Sequence, residues 1–216
     1  MQNLAVPSVQ NYIFGYGSLI NSHSRKVTGE TGRAVAVKVS GFARHWSNLS
    51  SGFGMSSVVV IVDPKETCNG VLIEVDASEL RSFDLREKGY KRVLIDLSQV
   101  EYYNPADQLI VDQSSSCGKD TVKIWLYQAD KVVAPCQAAP VVFSYLDVIL
   151  AGCLEYSQQF SDDFMSCTQG WQHAMLNDRQ APRYPRVQSE LNTQLLNPLI
   201  SLKAPLELSQ ISVGYS

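Results

Sequence analysis

Short segments rich in β-branched residues occupy much of the first half of the chain and constrain its fold more than any other feature. Residues 34–40, 56–62 and 70–75 either alternate between apolar and polar positions or run continuously apolar, as strands do. Two more strand-like segments, 92–97 and 122–128, follow. Five or six strands with few helices between them disfavour a doubly wound parallel sheet. The pattern therefore predicts an α+β fold with a mixed, barrel-like sheet around one central helix.

A strand that ends in two glycines marks a first candidate site. Residues 12–14 have the aromatic and β-branched character of a strand, and Gly15 and Gly17 interrupt it just before Ser18. Glycines let the backbone approach a ligand closely, so successive N–H groups can converge on one oxygen. The turn is a candidate oxyanion site, although such glycines also occur in purely structural turns. Known nucleotide loops are excluded because Ile20 replaces the third glycine of a dinucleotide fingerprint and no Gly-Lys-Ser/Thr sequence follows.

A helix predicted from about residue 77 to residue 88 carries the second candidate site. Asp76 and Glu79 have the spacing of a capping pair, and Gly89 is typical of a residue just beyond a helix C-terminus. The inward face has side chains at i, i+3, i+4 and i+7, which are Leu80, Phe83, Asp84 and Glu87. An acidic residue, Glu87, is therefore predicted to share an apolar face.

Glu87 is the candidate proton carrier. Burial and a position in the last helical turn both disfavour the charged form of its carboxylate. A carboxyl group that exchanges protons near neutral pH is what general acid–base catalysis requires. The pattern fits equally well a surface ion pair between Glu87 and a neighbouring cation, the candidates being Arg81, Arg86, Lys88 and Lys91.

Two motifs together resemble the γ-glutamylcyclotransferase-like superfamily. The sequence FGYGSLI at 14–20 is similar to the Tyr-Gly-Ser loop of this family, and FDLREKGY at 83–90 is similar to the helix that carries its catalytic glutamate. Their form is closest to the ChaC-type, glutathione-cleaving branch. Residues 144–156 are a weaker match to a late family helix with a tyrosine, an apolar run and small residues.

The resemblance implies a fold, an activity and a set of site residues. Family members fold as a mixed β-barrel with packed helices, and they cyclise a γ-glutamyl group to 5-oxoproline with release of an amine. Glu87 would be the catalytic acid and base. The substrate would be bound by Tyr16, Gly17, Ser18, Leu19 and Tyr127. Ser18 fits a hydrogen-bonding wall rather than a nucleophile, because no G-x-S-x-G elbow or partner histidine is evident.

The substrate and the catalytic state stay open at this point. Glutathione, γ-glutamyl amino acids and γ-glutamylamines are all candidate substrates. The main alternative to an enzyme is a non-catalytic barrel that binds a small ligand or a protein partner. A serine or cysteine hydrolase is disfavoured because no nucleophile has a base at a recognisable spacing. Asp84 is expected to support the helix or Glu87, and Arg44 and His45 are expected on an edge-strand surface.

Composition and charge exclude several other classes. A formal net charge of −3 offers no basic field for nucleic acid. No apolar segment approaches the ~18 residues of a membrane span, and the N-terminal residues lack a secretion signal. The cytoplasm is therefore the expected location. The five cysteines are odd in number and lack paired spacing, so we expect reduced thiols. The three histidines are too far apart to predict a metal site, and no cofactor is expected.

The chain is predicted to divide into three parts. Residues 1–11 form a leader, 12–175 the γ-glutamylcyclotransferase-like domain, and 176–216 an extension that packs on the domain or on a neighbouring subunit. Within the domain, a short helical turn is expected at 21–28. Ser144 and Asp147 are expected to cap one helix, and another is expected to start near Ser161 and to end near Gly170; these positions follow the spacing of polar and apolar residues.

Overall fold

The computed structural model describes residues 9–28, 31–49, 54–87, 89–113, 122–186 and 193–203. The strands are β1 (Gln10–Gly15), β2 (Ala34–Ser47), β3 (Ser57–Val75), β4 (Lys91–Ile95), β5 (Val100–Tyr102), β6 (Val122–Gln128), β7 (Val141–Val142), β8 (Thr168–Gln169) and β9 (Met175–Leu176). The helices are α1 (Ser22–Thr28), α2 (Glu79–Arg86), α3 (Pro105–Gln113), α4 (Phe143–Leu154), α5 (Gln158–Cys167) and α6 (Thr193–Ser201). Most of the predicted leader lies outside the described residues.

Seven strands form one curled, mixed sheet. Its order is β4-β6-β1-β3-β2-β5, and β8 pairs with the far end of β2. The β1–β6 and β2–β8 pairs are parallel, whereas the others are antiparallel. A separate two-stranded sheet joins β7 to β9. The predicted α+β class with a barrel-like mixed sheet and packed helices is thereby confirmed, the sheet being a curled half-barrel.

Both faces of the central strands are buried, which explains their continuous apolar runs. Along β1, Ile13 belongs to a cluster that includes side chains of α4, α5 and α6, whereas Tyr12 and Phe14 belong to a second cluster of mostly strand residues. The strand β3 divides in the same way, since Ile73 joins the first cluster and Leu72 the second. The sheet therefore lies between two hydrophobic cores, and β1 brings its C-terminal turn to the middle of the molecule.

The strands β2 and β3 are longer than the sequence predicts. Their pairing continues through the polar stretch between the two apolar segments of β3, with a register shift between Ser40 and Phe42. At this shift Gly41 has a φ of 89°, which favours glycine. Irregularities of this kind bend a strand and increase its twist, which favours the curl of the sheet.

The helix predicted at the centre of the strands, α2, buries only Phe83. The deeply buried helix is instead α4, with ten of its twelve residues buried. The predicted capping pair within its own sequence is not formed, because the helix starts at Phe143 and the N-cap residue Val142 has no side-chain oxygen. Instead, Asp178 accepts hydrogen bonds from the backbone N–H and the hydroxyl of Ser144, at 2.8 and 2.6 Å. Asp147 pairs with Arg179, with two N···O distances of 2.6 Å.

The other helix boundaries differ modestly from the predictions. Helix α2 ends at Arg86. At its N-terminus the Glu79 N–H donates to the backbone carbonyl of Asp76, and the N-cap residue makes no side-chain hydrogen bond. Helix α5 starts at Gln158, before the predicted position, because Ser157 caps it by accepting from the Phe160 N–H at 3.0 Å. The predicted turn at 21–28 is confirmed as α1, and the side chain of Asn21 caps it.

Among the described residues, the helices are too short or too polar to span a bilayer. The described cysteines are free thiols, namely Cys68, Cys136, Cys153 and Cys167, whereas Cys117 lies outside the described residues. The described part of the chain contains no group of three metal-ligating side chains.

Candidate active site

A cavity of about 270 Å³ opens where β1 ends. All six residues that the sequence singles out line it, namely Tyr16, Gly17, Ser18, Leu19, Glu87 and Tyr127. The structure therefore brings the glycine turn, the end of α2 and strand β6 to one place. The catalytic and binding roles of these six residues stay predictions.

Close packing around the glycine turn explains why it lacks side chains. A Cβ atom on Gly17 would lie 2.9 Å from the hydroxyl oxygen of Tyr145 and 2.9 Å from a methyl carbon of Val58. After Gly17 the chain forms a 3₁₀ turn over Ser18–Ile20, closed by the Ile20 N–H on the Gly17 carbonyl at 2.9 Å. The turn therefore packs directly against Tyr145 of α4 and Val58 of β3, which line the cavity with it.

Tyr145 lies under this turn and also lines the cavity. Burial raises the pKa of its phenol, and the nearby backbone amides of Val58 and Ser18 partly oppose that rise. The phenol is therefore protonated at neutral pH. Residue 145 falls in the weakest of the three motif matches, and its place in the cavity is not predicted from the sequence.

Glu87 combines the two interpretations that its sequence pattern allows. It is the residue immediately after α2, its side chain is 24% exposed, and it lines the cavity. Its Oε1 atom accepts from the Arg86 guanidinium, with distances of 2.9 Å to Nε and 2.7 Å to Nη2. The other oxygen, Oε2, has no hydrogen-bond partner among the described residues. Glu87 thus forms an ion pair and still has one oxygen available to a ligand.

The chain turns back into the cavity immediately after Glu87. The Tyr90 N–H donates to the Glu87 carbonyl at 3.0 Å, and Gly89 between them has a φ of 99°. Gly89 therefore permits the turn that makes Tyr90 a wall of the cavity.

Tyr16 is electrostatically coupled to Glu87. Burial raises the pKa of the Tyr16 phenol well above its ordinary value, and Tyr90 and the charge of Glu87 add to the rise. The Tyr16 hydroxyl donates to the Tyr127 carbonyl at 2.6 Å. Tyr16 therefore both lines the cavity and ties the glycine turn to β6.

Tyr127 lines the cavity, and its hydroxyl is bound to Asp84. The hydroxyl donates to Asp84 Oδ1 at 2.9 Å, while Asp84 Oδ2 pairs with Arg92 at 3.2 Å. Burial and this contact with Asp84 raise the pKa of Tyr127. Asp84 therefore connects α2 with β6 and β4 and holds the end of α2 near the cavity.

Arg44 is not on an edge-strand surface, as the sequence analysis expects. It is 0% exposed, because α5 and Thr168, the first residue of β8, cover its guanidinium. Its guanidinium donates to the Tyr16 carbonyl at 3.2 Å and to the Asn69 carbonyl at 2.6 Å, and it stacks on Phe164 at 3.8 Å. Arg44 therefore supports the glycine turn from behind. His45 is partly exposed and lines a different surface groove.

The segment after β9 supplies a further wall of the cavity through Tyr184 and Arg186. The Tyr184 ring packs edge-on against the Tyr145 ring, with centroids 4.8 Å apart. The backbone N–H of Tyr184 donates to the Ser144 hydroxyl at 3.2 Å. This segment has no hydrophobic periodicity, so its position depends on contacts with α4 that no local pattern reveals. The predicted division of the chain near residue 176 stays a prediction.

The curled mixed sheet with helices packed on it is the γ-glutamylcyclotransferase-like fold. A solved structure described as a gamma-glutamyl cyclotransferase superposes with a TM-score of 0.53, covering 89% of this chain and 99% of its own, at 12% identity. An uncharacterized protein from Homo sapiens, refined as an ensemble, gives a TM-score of 0.52 with the same coverage and identity. No family model and no curated protein matches the sequence. These similarities show the fold, and the activity must be argued from the cavity.

Proposed function

We propose that this protein is a γ-glutamylcyclotransferase, which converts a γ-glutamyl compound to 5-oxoproline and releases the attached amine. The observation that supports this most directly is the convergence of Glu87 and the glycine turn on one cavity. A proton carrier and a set of backbone N–H donors are the two elements that such a cyclisation needs.

The substrate contains both reacting groups. Its α-amine attacks the γ-carbonyl carbon, a five-membered ring closes, and the bond from that carbon to the leaving nitrogen breaks. The reaction consumes no water and involves no oxidation or reduction. Holding the substrate in a folded conformation replaces a second reactant, and such positioning contributes roughly 7–11 kcal/mol in well-oriented cases.

Glu87 would transfer the protons in this reaction. The attacking nitrogen loses two protons as the α-ammonium becomes the ring N–H, and the leaving nitrogen gains two as it departs as an ammonium. The free Oε2 of Glu87 relays them in turn, taking each proton from the attacking nitrogen and giving it to the leaving nitrogen. The ion pair with Arg86 through Oε1 keeps the carboxylate oriented during both transfers. The carboxyl group therefore returns to its starting state after each turnover.

The glycine turn would stabilise the tetrahedral intermediate. The N–H groups of Gly17 and Leu19 have no hydrogen-bond partner among the described residues, as is common at the start of a helical turn. Each such donor directed at a developing oxyanion is worth about 3–4 kcal/mol in other enzymes. The Ser18 amide already contacts the Tyr145 hydroxyl, so the proposed oxyanion donors are the amides of Gly17 and Leu19, with Ser18 as a wall of the site.

The proposal is tested by incubating the protein with a panel of γ-glutamyl compounds and measuring 5-oxoproline. We expect turnover by the wild type and a loss of at least about 100-fold in kcat for Glu87→Gln, the scale of general acid–base catalysis. Glu79→Gln on the same helix, which does not line the cavity, is the matched control and should retain activity. Binding without turnover by the wild type would support the non-catalytic alternative, and undiminished turnover by Glu87→Gln would exclude the proton-transfer role.

A further inference from the structure

The cavity has a positive charge that its own residues do not neutralise. Three charged side chains line it, namely Arg86, Glu87 and Arg186. Arg86 and Glu87 form an ion pair at 2.7 Å. In the described part of the chain, no carboxylate lies within ion-pair distance of Arg186. Among the described residues, Arg186 is therefore the one charged side chain of the cavity without an ion-pair partner.

Arg186 is held at the cavity by a well-packed segment. Its guanidinium lies 5.9 Å from the centre of the Tyr184 ring, and Nη1 is 3.4 Å from the Tyr184 hydroxyl oxygen. Tyr184 is itself only 8% exposed. Arg183, which directly precedes Tyr184, donates through its backbone N–H to the Asp178 carboxylate at 2.8 Å. Its guanidinium donates to the Gly54 carbonyl at 2.7 Å. The backbone that leads into Arg186 is thus fixed by contacts of the two described residues Arg183 and Tyr184.

We propose that Arg186 binds a carboxylate on the departing amine, so that the protein acts on γ-glutamyl amino acids rather than on γ-glutamylamines. This inference rests on the proposed cyclotransferase function. If Glu87 reaches the α-ammonium group, its partner Arg86 lies near the α-carboxylate of the same glutamyl unit. Arg186, on a separate segment, is then left for a second carboxylate at the other end of the substrate.

The net charge of the substrate favours the same substrate class. At neutral pH a γ-glutamyl amino acid carries two carboxylates and one ammonium group, and so a net charge of about −1. A γ-glutamylamine carries no net charge and would leave Arg186 unpaired.

The test compares two substrates of nearly equal size, γ-glutamylalanine and γ-glutamylalaninamide, whose terminal carboxylate and neutral carboxamide differ in charge. We expect the wild type to prefer γ-glutamylalanine by about 10- to 100-fold in kcat/KM, the range for hydrogen bonds to charged groups. Arg186→Gln should lose most of this preference through a higher KM. Arg186→Lys, which keeps the charge, should retain part of it.

Arg81→Gln is the matched control, because Arg81 is exposed on α2 and does not line the cavity. Calorimetric binding of the same two compounds to the wild type and to Arg186→Gln accompanies the kinetics. Equal use and equal binding of both compounds by the wild type, or a preference that survives in Arg186→Gln, would overturn the role of Arg186. Selective binding of γ-glutamylalanine that depends on Arg186, without any 5-oxoproline, would retain the carboxylate site and overturn the cyclotransferase.

Discussion

The buried Arg44 allows a quantitative test of how the site is supported. Every nitrogen of its guanidinium donates a hydrogen bond, and the shortest two go to the carbonyl and the side-chain oxygen of Asn69, at 2.6 and 2.7 Å. In Arg44→Met these two buried acceptors lose their main donor. At about 1–3 kcal/mol for each orphaned acceptor, the loss is roughly 2–6 kcal/mol.

An opposing effect reduces this figure. Methionine removes the cost of desolvating a guanidinium that has no carboxylate partner among the described residues, and such costs reach several kcal/mol. The hydrogen bonds and the ring of Phe164 at 3.8 Å already compensate much of that cost in the native protein. The orphaned acceptors therefore dominate, and we expect Arg44→Met to lower the free energy of unfolding by about 2–4 kcal/mol.

Urea unfolding followed by circular dichroism measures this change as a shift in midpoint at constant slope. Arg33→Met is the control, because Arg33 is 53% exposed in a surface pair with Asp107 and should change stability by no more than about 0.5 kcal/mol. A variant at position 44 that is as stable as the wild type, or more stable, would refute the reasoning. It would mean that the cost of desolvating the Arg44 guanidinium outweighs its hydrogen bonds in the free energy of unfolding.

Two further predictions concern packing and pH. Gly17→Ala should lower the free energy of unfolding by about 1–3 kcal/mol, because its Cβ would be 2.9 Å from the Tyr145 hydroxyl oxygen; thermal unfolding measures this, and a change below about 0.5 kcal/mol would contradict the packing. Burial favours a higher pKa for Asp163, but hydrogen bonds from Lys38 and Tyr103 outweigh it and lower the pKa. The Asp163 carboxylate therefore contributes fully to the free energy of unfolding above the pKa of about 3.9 that it has in the unfolded chain. This contribution is lost as the pH falls through the lower pKa of the folded state. Asp163→Asn should weaken the decline in stability below about pH 4, and an identical acid limb in both proteins would disprove this contribution.

Local patterns were sufficient for the main strands and for the parts of the site that lie within one segment. Strands that are buried on both faces appear in the sequence as continuous apolar runs. Several such runs with few helices between them were enough to predict the α+β class. The glycine turn and the helix of Glu87 each have a local signature, and their cavity-lining positions agree with it. That they meet at one cavity follows from the resemblance to the family, since no local pattern relates two distant segments.

Features that depend on distant contacts could not be predicted. The N-terminal cap of α4 comes from Asp178, and the pairing of β2 with β3 carries both strands through residues of low strand propensity. Arg44 was misplaced because a charged residue in a strand is usually exposed, whereas β8 and α5 bury this one. Arg186 lies in a segment without periodicity, and only its contacts bring it to the cavity.

The capping of α4 by Asp178 also affects the order in which the molecule can be completed during synthesis. When only the first 175 residues have left the ribosome, the N-terminus of α4 lacks its acceptor, and the wall made by Tyr184 and Arg186 does not yet exist. A nascent chain would have its sheet early and its finished cavity last. The cavity is thus complete only in molecules whose translation has passed well beyond the last strand.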